Sequence, residues 1–499
     1  MRLLSRSDLG RPLGPLAFAI LFYVGGGFGL APDAVAALAC TAWIVVWWVT
    51  EAVPIPVTSL LPIVLFPATG ILDASATATA YGDPIVFLLL GGFLLALAVE
   101  RTGLHERISL YVISRVGVSA PGLLFGFMAA TALLSMWISN TATAMLMVPI
   151  AIAVISQTHT VTAGPQVNIA EGVGDIVHDT DEDPDALPVT RFGVALMLGI
   201  AFAASVGGVG TLIGSPPNAV LAGVAESQLG VDVGFFEWMQ FGFPVAVVGT
   251  LAVWATLLVV VRPTVDIVPG REAVAAHKLD ELGAASSGER RIAALFTLVA
   301  VGWLTRPFLI TPLFPEVTDA TIAVAGGVAA FLVPTNARRR EFLLDWEYAL
   351  RLPWGVLLLL GGGFALARAF QRTGLDRRTA DLITGAGVTE LFGLVTLLAV
   401  TVVVLTNVTS NTATASVFMP IAVAVAGGVG AAPLTLMAAV ALAASFAFVL
   451  PVATAPNAIV FGSGYLTIPE MAKVGAAVSV VGTALIVVSV VWWLPFVWG

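Results

Sequence analysis

Two stretches of this chain, Ser139–Val154 (SNTATAMLMVPIAIAV) and Ser410–Val425 (SNTATASVFMPIAVAV), agree at 11 of 16 positions and lie 271 residues apart. In both, Ser-Asn-Thr interrupts an otherwise apolar stretch (121–155 and 389–427). A second pair, Gly91–Leu104 (GGFLLALAVERTGL) and Gly362–Leu375 (GGFALARAFQRTGL), keeps the same offset of 271, so nothing is inserted between the two motifs in either copy. A third pair, Pro216–Val220 (PPNAV) and Ala455–Ile459 (APNAI), is offset by 239. The difference, 271 − 239 = 32, is close to the length of segment 157–190. That segment holds Glu171, Asp175, Asp179, Asp181, Glu182, Asp183 and Asp185 and no Lys or Arg. The first copy therefore carries an inserted acidic stretch that the second lacks. Its composition predicts a solvated loop. A calcium loop is the alternative reading, against which HDTDEDPDA lacks the glycine and terminal glutamate of an EF-hand.

The surroundings of these motifs fix the solvent. Hydrophobic residues make up 58% of the 499 and charged ones 11%, against about 25% charged in soluble chains. Mean hydropathy is +0.99. The class is an all-α polytopic membrane protein. The single cysteine, Cys40, excludes an intrachain disulfide, and His105, His159, His178 and His277 have no zinc-site spacing. A net charge of −9 disfavours nucleic acid as a partner. With only two lysines against twenty arginines, the composition points to a salt-rich habitat or a GC-rich genome. No cleavable signal pattern precedes the first apolar run, which reads as a retained span. A spanning helix needs about 20 apolar residues. Eleven runs qualify: 12–30, 35–50, 55–70, 84–100, 191–227, 240–261, 291–310, 319–334, 353–370, 433–461 and 470–498. Two of them, 191–227 and 433–461, are too long for one crossing and are broken at Gly207–Pro217 and Pro451–Pro456. The two Ser-Asn-Thr stretches read as re-entrant hairpins, because irregular backbone at membrane depth occurs where it is buried or lines a cavity.

With the N-terminus in the cytoplasm, 17 of the 22 Lys and Arg fall on the cytoplasmic side, leaving Arg306, Arg368, Arg372, Arg377 and Arg378 outside. The C-terminus is then outside. Five crossings separate Gly91 from Gly362, so the copies run in opposite directions. Inverted repeats are a mark of secondary transporters, whose sites form at the midplane where broken helices meet. In this chain the broken elements supply oxygen ligands suited to sodium and helix N-termini suited to anions. Ser135 lies four residues before Ser139, and Thr406 four before Ser410, on one helix face. Gly214-Ser215 and Ala453-Thr454 offer a carbonyl and a hydroxyl opposite. A lone Ser-Asn-Thr simply packs helices, but two copies equally placed in an inverted repeat indicate a site. Asn218 and Asn457 read either as helix caps or as ligands. Glu51, at the end of the second span, reads either as structural or as a proton relay. An intramembrane enzyme is disfavoured because no nucleophile–base pair or metal cluster is visible. A channel is disfavoured by the two occluded half-sites.

The paired SNTATA and MPIA blocks, GSPPNA, ATAPNA and TEAVPIPVTSLLP (Thr50–Pro62) resemble the divalent anion:sodium symporter family, the sodium-coupled dicarboxylate, citrate and sulfate transporters, from about Trp47 to Gly464. The resemblance implies a homodimer in the plasma membrane, moving its substrate by an elevator motion. Its domains would be scaffold helices 1–4 (residues 1–120), transport elements with the first hairpin, acidic loop and broken helix (121–261), a cytoplasmic connector and scaffold helices 7–9 (262–388), and transport elements with the second hairpin, broken helix and last helix (389–499). It implies at least two sodium ions: one at Ser135, Ser139, Asn140 and the Gly214 carbonyl, the other at Thr406, Ser410, Asn411 and the Ala453 carbonyl. Substrate carboxylates would meet Asn140, Thr141, Ser215, Asn411, Thr412 and Thr454. Ala455 stands where the first half has Pro216, next to the substrate. The expected function is sodium-coupled import of C4-dicarboxylates, with sulfate symport or sodium-independent dicarboxylate exchange as alternatives.

Overall fold

The 271-residue offset reappears in the helices themselves. Ala120–Ser135 and Leu391–Thr406 are both 16 residues long and begin and end at equivalent positions. Asn140–Thr162 and Asn411–Val429 follow them, each starting at the asparagine of Ser-Asn-Thr. The computed structural model describes residues 6–115, 119–162, 176–178, 189–263, 271–336, 338–375, 377–378 and 390–498. Most of the acidic segment 157–190 lies outside the described residues. Apart from two short ribbons, Ile176–His178 with Val189–Thr190 and Pro334–Asn336 with Glu341–Phe342, the regular structure described is helical.

Each hairpin follows from its sequence. A 16-residue helix rises about 24 Å, short of a hydrocarbon layer about 30 Å thick. Each is followed, after a four-residue turn, by a second helix that packs against it. The first turn, Met136–Ser139, is held by the Ser139 hydroxyl, which accepts from the Ala142 N–H at 3.2 Å. The broken helices also form as expected. Arg191–Gly207 stops at a 3₁₀ turn, Gly208–Gly210, and restarts as Pro216–Val224. Pro433–Ala444 stops and restarts as Ala455–Phe461. Proline in the first turn of each restarted helix lacks the N–H that would be unbonded there anyway.

Nine helices among the described residues are long and apolar enough to cross a membrane. Eight of them come from the eleven runs read from sequence; 55–70, 319–334 and 433–461 emerge as the shorter helices Ile55–Thr69, Asp319–Leu332 and Pro433–Ala444, and the ninth long helix is Asn411–Val429, which the sequence placed in a re-entrant hairpin. The RTGL pairs end two long helices, Pro84–Thr102 and Trp354–Thr373, at Gly103 and Gly374. Both glycines are left-handed, with φ 78° and 70°. After Gly103 the chain runs into the polar helix Leu104–Arg115.

The core interlocks the two repeats. Every residue from Phe192 to Gly207 is buried, as is every residue from Thr435 to Ala444. These two half-helices pack on the hairpins of their own repeats. The restarted halves cross over: Ala455–Phe461 packs on the first hairpin's Asn140–Thr162, and Pro216–Val224 on the second hairpin's Asn411–Val429.

Candidate transport site

The crossover brings both hairpin tips and both helix breaks to one cavity of about 1120 Å³. Ser139, Asn140, Thr141, Gly214 and Ser215 line it from the first repeat, and Ser410, Asn411, Thr412, Ala453 and Thr454 from the second. Ten of the twelve expected site residues thus share one wall. The other two, Ser135 and Thr406, are fully buried behind it. The Ser135 hydroxyl lies 2.5 Å from the Asn140 carboxamide and donates to the Ala204 carbonyl at 2.6 Å. Thr406 Oγ1 likewise lies 2.8 Å from the Asn411 carboxamide and 2.8 Å from the Ala444 carbonyl, and its one proton serves one of the two. The two half-sites are built on one plan.

Oxygens crowd the first half-site. The Asn140 amide nitrogen points at Ser135 Oγ, the Ala204 carbonyl and the Gly214 carbonyl, at 2.5, 3.2 and 3.3 Å; turned over, the same carboxamide presents its oxygen there. A methyl on Gly208 would lie 2.8 Å from both the Asn140 carboxamide and the Gly214 carbonyl. One on Gly214 would lie 2.6 Å from the Gly208 carbonyl and 3.0 Å from that of Met136. Only glycine leaves this cradle open. Carbonyl, hydroxyl and carboxamide oxygens are the donor set of a hard monovalent cation, so the residues fit sodium as a cargo. Position 447, equivalent to Gly208, is alanine, so the second half-site already carries a side chain there.

The cavity wall is also where four helices begin, at Asn140, Pro216, Asn411 and Ala455. Unbonded N–H groups and the partial positive charge of helix N-termini favour an anion there. The acidic and basic side chains in the wall are those of Glu51, Glu100 and Arg351. Arg351 stacks on the Tyr348 ring at 4.3 Å, and the Tyr348 hydroxyl donates to Glu100 at 3.3 Å.

Asn218 and Asn457 prove to be braces. The Asn218 amide donates to the carbonyls of Gly208 and Thr211 at 3.0 and 2.8 Å. Asn457 does the same to Ala447 and Leu450, at 3.0 Å each. The cap of the second restarted helix is Thr454, whose hydroxyl accepts from the Asn457 N–H. Glu51 ends the Pro32–Thr50 helix in a left-handed conformation, φ 49°, with its N–H on the Trp47 carbonyl. Sequence reasoning missed Ser445, which shares a 3.0 Å hydrogen bond with Ser215 across the repeats. It also missed the carbonyls of Ala204 and Ala444, which carry no sequence signal at all.

An interlocked inverted repeat whose hairpin tips and helix breaks meet at one cavity is the architecture of a secondary transporter. Residues 15–498 match the family described as the sodium:sulfate symporter transmembrane region, and the chain belongs to it. The chain is 39% identical over 496 residues to the sodium-dependent dicarboxylate transporter SdcS of Staphylococcus saprophyticus, covering 98% of this chain and 92% of that one. It is 38% identical, with the same coverage, to SdcS of Staphylococcus aureus strain USA300. The fold resembles the solved YdaH transporter of Alcanivorax borkumensis, at 16% identity and TM-score 0.54, covering 85% of this chain and 88% of that one. It also resembles MtrF of Neisseria gonorrhoeae, at 14% identity and TM-score 0.53, with 85% of each chain covered.

Proposed function

We propose that this chain is a sodium-coupled symporter that imports C4-dicarboxylates. The observation that carries the proposal is the shared cavity: two repeat-related tips, each backed by an oxygen cradle, facing one space. Two tips match two carboxylates joined by a short carbon chain. The tips themselves hold no cationic side chain, so bound sodium ions supply the charge a dianion needs. Binding of one ligand then favours the other. The names of the Staphylococcus relatives support the dicarboxylate, whereas the family's description supports sulfate as the second reading. A sodium-independent exchanger is the third.

Ser135, Ser139, Asn140 and the Gly214 carbonyl hold one ion, and Thr406, Ser410, Asn411 and the Ala453 carbonyl hold another. The substrate meets Asn140, Thr141, Ser215, Asn411, Thr412 and Thr454. Hairpins and broken helices form a transport domain that rides as an elevator against a scaffold of the remaining helices, in a homodimer in the plasma membrane. The interlocked core supports this, because the whole site sits in one packed body. Ser7, Glu51, Glu100 and Arg351 lie at helix ends that the Lys/Arg bias assigns to the cytoplasm, so the cavity opens inward.

Proteoliposome uptake of labelled succinate and sulfate, each with and without an inward sodium gradient, tests the proposal. Concentrative succinate uptake that needs sodium is the expected result. Sulfate uptake that succinate does not inhibit would replace the substrate, and sodium-independent succinate counterflow would replace the mechanism.

A further inference from the structure

The two half-sites share a joint that their sequences build by opposite means. The joint lies at position 136 in the first repeat and at 407, its 271-offset equivalent, in the second. It is where each hairpin tip is tied to the loop of its broken helix. In the first repeat the tie comes from the loop: the fully buried Thr211 donates its hydroxyl to the Met136 carbonyl. The same hydroxyl accepts from the Gly214 N–H at 3.0 Å. Thr211 thus bonds at once to the hairpin turn and to the residue whose carbonyl faces Asn140. In the second repeat the tie comes from the hairpin. Asn407, 6% exposed, accepts from the Val449 N–H at 2.8 Å and anchors its own amide on the Val403 carbonyl at 2.7 Å. Position 450, equivalent to Thr211, is leucine, and position 136, equivalent to Asn407, is methionine. Each repeat therefore has one polar side chain at the joint, drawn from opposite strands of it.

We propose that Thr211 and Asn407 are positioning residues, each setting the sodium affinity of its own half-site by holding hairpin and break in register without touching the ion. The inference rests on the sodium-symport reading above. A cradle assembled from two separate segments binds a cation only when both are held at ligand distance. Cutting the joint leaves each segment intact and lowers the fraction of time that they are aligned, which raises the apparent dissociation constant by that fraction.

The test is sodium activation of succinate uptake in proteoliposomes, normalised to inserted protein, for wild type, Thr211→Val and Asn407→Leu. Both substitutions keep shape and remove the tie. The sodium concentration for half-maximal uptake should rise roughly 5- to 20-fold in each. The maximal rate at saturating sodium should stay near that of wild type. Thr211→Ser keeps the hydroxyl and should return half-saturation to within about twofold of wild type. Thr211→Cys, a weaker donor of similar volume, covers failure of Thr211→Val to insert and should fall between. Inserted variants whose sodium half-saturation equals that of wild type while only the maximal rate or the yield falls would overturn the inference. Wild-type uptake that ignores sodium would instead sink the symport reading itself, and the same experiment shows this before any variant is compared.

Discussion

Asn140 and Asn411 are the residues on which most of the chemistry turns, since each touches the buried hydroxyl behind it and faces the cavity in front. A hydrogen bond to a charged group contributes about 1.5–3 kcal/mol. Asn140→Ala or Asn411→Ala should therefore weaken succinate binding about 10- to 150-fold and raise the sodium requirement with it. Calorimetric titration of each purified variant reads both. If these asparagines merely packed helices, yield would fall and the sodium response would not change. Gly208→Ala makes a sharper demand at the same scale. Its methyl group would fall 2.8 Å from the Asn140 carboxamide and the Gly214 carbonyl, inside ordinary contact distance. Sodium-driven uptake should drop roughly 5- to 150-fold, because overpacking of this kind costs about 1–3 kcal/mol. Uptake within twofold of wild type would show that the cradle is not the cation site.

Among elements, the inserted acidic segment is the one the second repeat manages without. Replacing 165–186 by a short Gly/Ser linker should leave uptake within about twofold, since loop length changes stability slowly. Loss of uptake at normal membrane expression would assign the segment a regulatory role. Gly103 and Gly374 carry the opposite expectation. Their φ values of 78° and 70° strain any other residue by about 1–2 kcal/mol. Gly103→Ala and Gly374→Ala should therefore lower the melting temperature of detergent-solubilised protein by about 1–2 °C each. Much of this architecture was legible in the sequence, because broken helices need Gly, Pro, Ser, Thr and Asn at set places and an internal repeat exposes them twice. Arg191–Gly207, Pro216–Val224 and the two hairpins follow directly from those places. The crossover of the restarted halves onto the opposite hairpins was not legible, because Val220 or Ile459 shows only that it is buried and not against what. The Ala204 and Ala444 carbonyls were equally hidden, since every residue has a carbonyl. Thr211 and Asn407 broke the repeat pattern and so escaped a comparison that looked for likeness.

For the whole molecule, the orientation read from Lys and Arg can be checked independently of transport. Cys40 is fully buried and should resist bulky aqueous thiol reagents. Cysteines at the exposed positions Arg339 and Glu316 should react from opposite sides of the membrane, Arg339→Cys from the cytoplasm and Glu316→Cys from outside. Reaction of both from one side would remove the inverted-repeat topology. The same topology is what places two half-sites around one cavity, and from it comes the central claim: sodium supplies the positive charge that the cavity's tips lack. That claim is tested most directly by the dissociation constant of succinate for the purified protein across a series of sodium concentrations at constant ionic strength. Affinity should climb steeply with sodium, and succinate should tighten sodium binding by the same factor. A succinate affinity that stays the same from zero to saturating sodium would contradict it.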